Sequence, residues 1–164
     1  MRNETPTLHL VCGKIAAGKS TLAERLASQS ATILISQDTW LSGLYPGEIT
    51  SLPDFVSRSE CLRKLMEGHV SALLQAGLSV VLDFPANTPE LRQWARRIFE
   101  AAGAAHQLHY LDMSDPLCKA RLKLRNESGT HEFAASEADF DLITSYFVPP
   151  SADENFNVKI HSQA

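Results

Sequence analysis

The chain has 164 residues and a mass of 18.0 kDa, a size typical of one domain, so we expect a single domain over residues 1–164. Its 44% hydrophobic and 21% charged residues are close to globular averages, which excludes an intrinsically disordered chain. The net charge of −4 argues against a domain that mainly grips the nucleic-acid backbone, and no apolar run approaches the roughly 18 residues of a membrane span.

Hydrophobic periodicity predicts strands and helices that alternate along the chain. Short apolar runs predict strands at residues 7–12, 32–36, 78–84, 107–111 and 157–161. Helical spacing of apolar residues predicts helices at residues 20–28, 58–75, 88–102, 114–126 and 136–146. Apolar strands that alternate with helices predict an α/β fold, in which helices cover both faces of a parallel sheet. Ligands bind at the carboxyl ends of such strands, and this edge holds Gly13, Ser36–Asp38, Asp83 and Asp112.

Residues 13–20 read GKIAAGKS and match the phosphate-binding motif G-x-x-x-x-G-K-[ST] in full, between a predicted strand and a predicted helix. Glycines allow positive φ and a close approach of phosphate oxygens, and successive N–H groups at a helix N-terminus bind anions. Lys19 can reach the β- and γ-phosphates, and the Ser20 hydroxyl can ligate Mg²⁺. The motif predicts that ATP and Mg²⁺ bind here, with cofactor contacts from Gly13, Lys14, Ile15, Ala16, Ala17, Gly18, Lys19, Ser20 and Thr21.

Acidic residues at the same edge are candidates for chemistry. Asp38 follows the second strand, where a carboxylate can accept a proton from an attacking hydroxyl; the alternative is an N-cap or Asx-turn residue. Asp83 ends the apolar run Val80-Val81-Leu82 as in a Walker-B strand, where it can hold Mg²⁺ or orient an acceptor; the alternative is again a turn residue. Helix capping explains Asp112 equally well.

Two arginines mark the predicted helix after the fourth strand. Arg121 and Arg125 fall on the side that carries Leu117, Cys118, Leu122 and Leu124, opposite two lysines, Lys119 and Lys123. Cations that face inward need an anion, and the planar guanidinium fork suits phosphate oxygens. The alternatives are pairing with acids of the fold or extension past the leucines to solvent.

Other conspicuous residues have simpler interpretations. Residues 126–158 contain seven acids and no Lys or Arg, so we expect a solvated acidic segment. His109 lies within a predicted strand and is interpreted as a core histidine. Four large apolar or aromatic side chains lie where an acceptor pocket would form, and they either contact a substrate or close the core: Trp40, Leu44, Tyr45 and Phe55.

Together these motifs resemble P-loop kinases of the AAA_33 group, which includes polynucleotide 5′-kinases, zeta toxins and chloramphenicol phosphotransferases. The similarity covers roughly residues 7–126 and includes Tyr110-Leu111-Asp112 followed by Arg121 and Arg125. It implies a five-stranded parallel sheet in the order 2-3-1-4-5, with Asp38 as the catalytic base and both arginines as lid contacts to ATP. Polynucleotide kinases place an arginine shortly after the catalytic acid, whereas Thr39-Trp40-Leu41-Ser42 stands here, and this argues against a nucleic-acid substrate.

The chain is too short for an AAA machine and lacks the guanine-reading sequence N-K-x-D. We therefore predict an ATP- and Mg²⁺-dependent kinase that phosphorylates a hydroxyl of a small molecule. Its predicted catalytic residues are Asp38, Lys19, Arg121 and Arg125, and its predicted metal ligands are Ser20 and Asp83. A nucleotide or nucleic-acid 5′-end kinase, and a non-catalytic ATP-binding or slow ATPase regulatory module, remain as alternatives.

The expected partner is a small-molecule substrate, without nucleic acid or membrane, and the expected assembly is a monomer or homodimer. The three cysteines Cys12, Cys61 and Cys118 form no C-x-x-C pair, so we expect reduced thiols and a cytoplasmic location. The sequence leaves the phosphate acceptor unnamed.

Overall fold

A parallel sheet forms the centre of the computed structural model, which describes residues 4–129 and 134–162. Its five strands within those residues are β1 (Thr7–Gly13), β2 (Thr32–Ser36), β3 (Ser79–Asp83), β4 (Ala105–Asp112) and β5 (Val158–Ser162). Every neighbouring pair is parallel, in the order β2-β3-β1-β4-β5. The predicted sheet, including its strand order, is confirmed.

The described part of the chain contains six α-helices and one short 3₁₀ turn, Ala152–Glu154. The helices are α1 (Lys19–Ala27), α2 (Gln37–Leu44), α3 (Leu52–Gln75), α4 (Pro89–Ala102), α5 (Asp115–Ser128) and α6 (Glu137–Ser145). None of these helices is long and apolar enough to cross a membrane.

The sequence prediction missed α2 and began α3 six residues late. Helix α2 has only eight residues, and Leu41 is its single buried apolar side chain, so no helical period is visible in the sequence. Its N-cap is Ser36, whose hydroxyl accepts a hydrogen bond from the Thr39 N–H at 3.4 Å. The first turns of α3 expose Leu52 and Val56, so this stretch buries few of its apolar side chains. Caps and exposed apolar residues, rather than periodicity, therefore define this region.

Helices pack on both faces of the sheet, which is why β3 is apolar at consecutive positions. One core cluster includes Val80 and Leu82 with residues of α3 and α4, such as Leu62 and Trp94. The other cluster includes Val81 with residues of α1, α5 and α6. Burial on both faces confirms the predicted arrangement.

The buried face of α5 differs from the predicted one. Cys118 and Leu122 are buried, but Leu124 is 67% exposed. Lys119 does not face solvent freely, because its ammonium lies 2.7 Å from Asp141 and 3.3 Å from Glu137 of α6. Because α6 packs against the side of α5 that carries Lys119, the buried face of α5 is not the one that its leucines predicted.

The prediction that residues 126–158 form a purely solvated acidic segment is wrong. Glu154 accepts two hydrogen bonds from the fully buried Arg92 of α4, at 2.7 and 2.8 Å. Arg92 also donates to the carbonyl oxygens of Ala86 and Val148, both at 2.9 Å. A buried guanidinium needs this pairing, so one acid of the segment anchors the tail that leads to β5. Glu132 of the segment lies outside the described residues.

His109 is a buried core histidine, as expected. Its ring nitrogens lie 3.2 Å from His9 and 3.0 Å from His161, on the neighbouring strands β1 and β5. Burial lowers its pKa to about 4, so the ring is neutral at pH 7 and can both donate and accept in this row.

We predict that Glu154→Ala lowers the free energy of unfolding by about 3–5 kcal/mol at pH 7, because it leaves the buried Arg92 unpaired. Asp153→Ala removes an exposed acid in the same turn and should change stability by less than about 0.5 kcal/mol. Urea unfolding of both variants measures this difference, and equal losses would contradict the role of Arg92.

The loss caused by Glu154→Ala should depend on pH. Hydrogen bonds from Arg92 hold the pKa of Glu154 below its ordinary value of 4.5. A carboxyl with a lowered folded-state pKa contributes fully above the ordinary value, and this contribution disappears as the pH falls through the folded-state value. The stability difference between wild type and Glu154→Ala should therefore be constant near pH 7 and should shrink below about pH 4.5.

Candidate active site

The backbone between β1 and α1 is shaped to bind phosphate. Ala16 has φ 59° and Gly18 has φ 102°, so the loop contains two left-handed residues. Gly18 is the N-cap of α1 and has no side chain with which to cap the first N–H groups of the helix. Those N–H groups and the helix dipole favour an anion at this point. A Cβ on Gly13 would lie 3.1 Å from the Leu111 carbonyl oxygen, so glycine allows β1 to end close against β4.

Lys19 lies folded over this loop. Its ammonium donates hydrogen bonds to the carbonyl oxygens of Gly13 at 2.7 Å and Lys14 at 2.6 Å. Burial lowers the pKa of Lys19, and attraction by the Asp83 carboxylate opposes that shift. The second lysine of the motif points elsewhere, because the Lys14 ammonium bonds to Asp115 and to the Met113 carbonyl oxygen.

An open cleft of about 1190 Å³ lies above the carboxyl ends of the strands. The lining of this opening, the cleft, includes residues 15–21, Asp38, Asp83, Arg121 and Arg125. Gly13 and Lys14 do not line the cleft, although the motif predicted that they contact a cofactor. Gly13 is buried at the end of β1, and Lys14 is bonded to Asp115, so both residues support the loop from outside the cleft.

Ser20 and Asp83 form a pair of oxygen ligands at one wall of the cleft. The Ser20 hydroxyl donates to the Asp83 carboxylate at 2.8 Å, which joins the start of α1 to the end of β3. Hydroxyl and carboxylate oxygens are the hard ligands that Mg²⁺ prefers, so the pair fits this ion. A local turn does not account for Asp83, because its hydrogen-bond partner is 63 residues away in sequence.

Both arginines of α5 line the cleft rather than the core. Arg121 donates to the Ala17 carbonyl oxygen at 3.2 Å and so lies across the phosphate loop. Arg125 is half-buried, and its Nε has no hydrogen-bond partner among the described residues. Burial lowers the pKa of Arg125, and the Asp38 carboxylate opposes this shift. The two predicted ATP contacts therefore lie beside the loop, one against its backbone and one near Asp38.

Asp38 is half-buried in the first turn of α2 and lines the cleft. The N-cap of this helix is Ser36, so the capping interpretation of Asp38 does not hold. Because β2, β3 and β1 are neighbours in the sheet, Asp38, Asp83 and the phosphate loop follow three adjacent strands at one edge.

Sequence reasoning missed two residues of the site. The Asn87 side chain accepts a hydrogen bond from the Gly13 N–H at 3.0 Å and steadies the start of the loop. Gln37 is only 2% exposed, yet it lines the cleft, and its Oε1 has no hydrogen-bond partner among the described residues. Neither residue belongs to a motif, and a lone Asn or Gln in a loop region resembles an ordinary solvated side chain.

Of the four aromatic and apolar candidates near the acceptor position, only Phe55 lines the cleft. Trp40 and Leu44 are exposed outside it, and Tyr45 packs against the core under the Arg58 guanidinium. Asp112 also lies outside the cleft and accepts a hydrogen bond from the Tyr110 hydroxyl at 3.2 Å.

Solved structures with a similar architecture include several that are described as kinases. A candidate kinase from Chloroflexus aurantiacus has a TM-score of 0.77 at 20% identity, over 97% of this chain and 89% of that chain. A sugar kinase from Janibacter sp. HTCC2649 has a TM-score of 0.65 at 16% identity, over 97% and 86%. The APS kinase of Mycobacterium tuberculosis, solved with AMPPNP and APS, has 0.65 at 21% identity, over 96% and 88%. At these identities the similarity establishes the fold.

The family follows from the sequence itself. The model of the AAA domain family AAA_33 matches residues 8–150. The chain belongs to this family and has the P-loop kinase fold, which confirms the predicted group. No curated protein matches the chain.

We predict that Lys19→Ala weakens ATP binding at least about tenfold, or about 1.4 kcal/mol, and abolishes transfer while the domain stays folded. The matched control is Lys14→Ala, which should leave ATP affinity nearly unchanged, because the Lys14 ammonium is bonded to Asp115. Calorimetry with ATP and Mg²⁺ measures both affinities. Unchanged affinity and turnover in Lys19→Ala would contradict the assignment.

Arg121→Ala and Arg125→Ala should each lower kcat, by an amount on the order of the 10³-fold that arginine fingers supply. Thermal stability without ligand should change little or rise, because both arginines face the cleft rather than the core. Lys123→Ala on the same helix is the control, since Lys123 is exposed outside the cleft. A large loss of melting temperature in either arginine variant would indicate a structural ion pair instead.

Proposed function

We propose that the protein transfers the γ-phosphate of ATP to a hydroxyl of a small molecule, with Mg²⁺ bound at Ser20 and Asp83. The single observation that carries the proposal is that Asp38 shares one cleft with the phosphate loop and both arginines. A nucleotide-binding module has no need for a carboxylate at this position, whereas a phosphotransferase needs a group that accepts the proton of the attacking hydroxyl.

Each residue of the cleft has a distinct part in this reaction. The N–H groups at the start of α1 bind and orient the phosphate chain, and Lys19 neutralises charge on it. Arg121 and Arg125 stabilise the charge that develops on the transferred phosphoryl group and exclude water from it. Asp38 holds the acceptor hydroxyl and takes its proton. When bound by Ser20 and Asp83, Mg²⁺ would neutralise further charge on the phosphates.

The comparisons support a kinase because the similar solved structures include enzymes described as a sugar kinase and an APS kinase. Their acceptors differ from one another, so the shared fold supports phosphoryl transfer and leaves the acceptor open. The choice of acceptor therefore depends on the residues of this cleft.

The alternatives are distinguishable by experiment. A nucleic-acid 5′-end kinase is disfavoured by the absence of an arginine after Asp38, where Thr39-Trp40-Leu41-Ser42 stands, and by the pI of about 5.8. A regulatory module or slow ATPase would hydrolyse ATP at the same rate with or without any acceptor. A screen with γ-labelled ATP and nucleosides, sugars, antibiotics and oligonucleotides separates these possibilities through the labelled product.

We predict that Asp38→Asn binds ATP and Mg²⁺ with near-normal affinity but loses phosphoryl transfer by about 10²–10⁴-fold, the usual contribution of a general base. Asparagine preserves the shape of the side chain but cannot take the proton. Asp112→Asn, at the same edge but outside the cleft, should retain full activity. The measurements are calorimetry for binding and product formation for transfer; full activity of Asp38→Asn would assign the base to another residue, first Asp83.

A further inference from the structure

Apolar side chains from two separate elements line the cleft. The segment from Ile49 to Phe55 contributes Ile49, Leu52 and Phe55 around the start of α3. Helix α6 contributes Leu142 and Ile143. Ile49 and Phe55 also pack against the core, but Leu52, Leu142 and Ile143 are 53%, 49% and 39% exposed. Exposed apolar side chains that line a cleft beside reactive groups indicate a ligand with an apolar part.

The charges in the cleft disfavour an anionic acceptor. Apart from Arg125, the Lys and Arg residues among its described lining lie on α1 or against the phosphate loop: Lys19, Arg25 and Arg121. Arg125 already faces the carboxylate of Asp38. A second acid, Asp139, lines the same opening, and hydrogen bonds from Ser136 lower its pKa, so it is ionised at pH 7. A phosphate or carboxylate beside Asp38 or Asp139 would meet an anion, and Arg125 already interacts with Asp38.

Gln37 supplies a polar contact next to the proposed base. Its side chain is almost fully buried, lines the cleft, and leaves Oε1 without a hydrogen-bond partner among the described residues. A buried carbonyl oxygen without a partner is costly, so a donor from a ligand would satisfy it. Asp38, the next residue of α2, lines the same cleft, so a ligand there meets two hydrogen-bond acceptors.

We infer that the phosphate acceptor is a neutral alcohol with an apolar body and a second hydrogen-bond donor near its reacting hydroxyl. The apolar body contacts Phe55 and the α6 residues Leu142 and Ile143, and the second donor bonds to Gln37 Oε1. This inference rests on the proposed function. In the transfer, the acceptor oxygen forms a bond to the γ-phosphorus, the bond from that phosphorus to the β-bridging oxygen breaks, ADP leaves, and the hydroxyl proton passes to Asp38.

Three probes that share a propane-1,2-diol head test the inference. They carry a phenyl ring, a hydroxyl or a phosphate on the third carbon: 3-phenylpropane-1,2-diol, glycerol and glycerol 3-phosphate. Ligand-observed NMR measures the Kd of each for protein loaded with AMPPNP and Mg²⁺, so the result does not depend on turnover. We expect the phenyl compound to bind at least about tenfold more tightly than the other two. Equal or weaker binding of the phenyl compound overturns the inference.

Two neighbouring substitutions on α3 locate the binding. Phe55→Ala should raise the Kd of 3-phenylpropane-1,2-diol about tenfold and leave the affinity for AMPPNP unchanged. Val56→Ala is the matched control, because Val56 is an exposed apolar residue of the same turn that does not line the cleft. If the phenyl compound binds equally well to Phe55→Ala, or if Val56→Ala weakens it as much, the apolar site is elsewhere and the inference fails.

Gln37→Met tests the polar contact with a side chain of similar size and no amide. Without ligand, the melting temperature should stay the same or rise, since a buried oxygen without a partner is removed. With ligand, the Kd of 3-phenylpropane-1,2-diol should rise about threefold or more, the size of one net hydrogen bond. A fall in melting temperature together with an unchanged Kd would make Gln37 purely structural and overturn its assigned contact.

Failure of the inference differs from failure of the proposed function. If AMPPNP does not bind in calorimetry, or if γ-labelled ATP yields no labelled product with any acceptor of the screen, the proposed function fails. If AMPPNP binds and glycerol or glycerol 3-phosphate is preferred, the protein remains a candidate kinase but its acceptor is a polyol or an anion. Preference for the phenyl compound, lost in Phe55→Ala, supports both.

Discussion

Parallel pairing of β2, β3 and β1 is the constraint on which the rest of the site depends. Parallel strands end at the same edge of the sheet, so residues that follow each strand are brought together although they are far apart in sequence. Asp38, Asp83 and the phosphate loop come from these three strands. The 2.8 Å hydrogen bond between Ser20 and Asp83 is the direct result, because β1 and β3 are hydrogen-bonded neighbours.

Hydrogen bonds from the segment after β3 and from the C-terminal tail hold the phosphate loop in place. Asn87 accepts a hydrogen bond from the Gly13 N–H, and its own carbonyl oxygen accepts one from the Val148 N–H at 2.9 Å. Val148 in turn accepts a hydrogen bond from the buried Arg92, which also binds Glu154. A continuous chain of hydrogen bonds thus runs from the C-terminal tail to the first residue of the loop. The tail therefore contributes to the rigidity of the loop, which binding of phosphate by backbone N–H groups requires.

The cleft combines charged groups of both signs with apolar side chains. Lys19 and Arg121 lie on the phosphate loop, where backbone N–H groups add to the positive field. Asp38, Asp139 and exposed apolar side chains of α3 and α6 line the same cleft. Arg125 interacts electrostatically with Asp38. This combination is compatible with the proposed reaction between a polyanion and a neutral alcohol.

The sequence by itself determined the strand order through resemblance. It also singled out the phosphate loop, Asp38, Asp83, Arg121 and Arg125 as candidates, because these residues belong to short motifs or to regular periodic patterns. Only the tertiary structure decided the roles of Asn87 and Glu154, whose partners Gly13 and Arg92 lie 74 and 62 residues away. It also decided the role of Gln37, which comes from burial beside the cleft. It also decided that Lys14 points to Asp115, that α2 exists, and that Leu124 is exposed. Local patterns record what each residue prefers, but the partners of a polar side chain and the buried face of a helix depend on which elements pack against it.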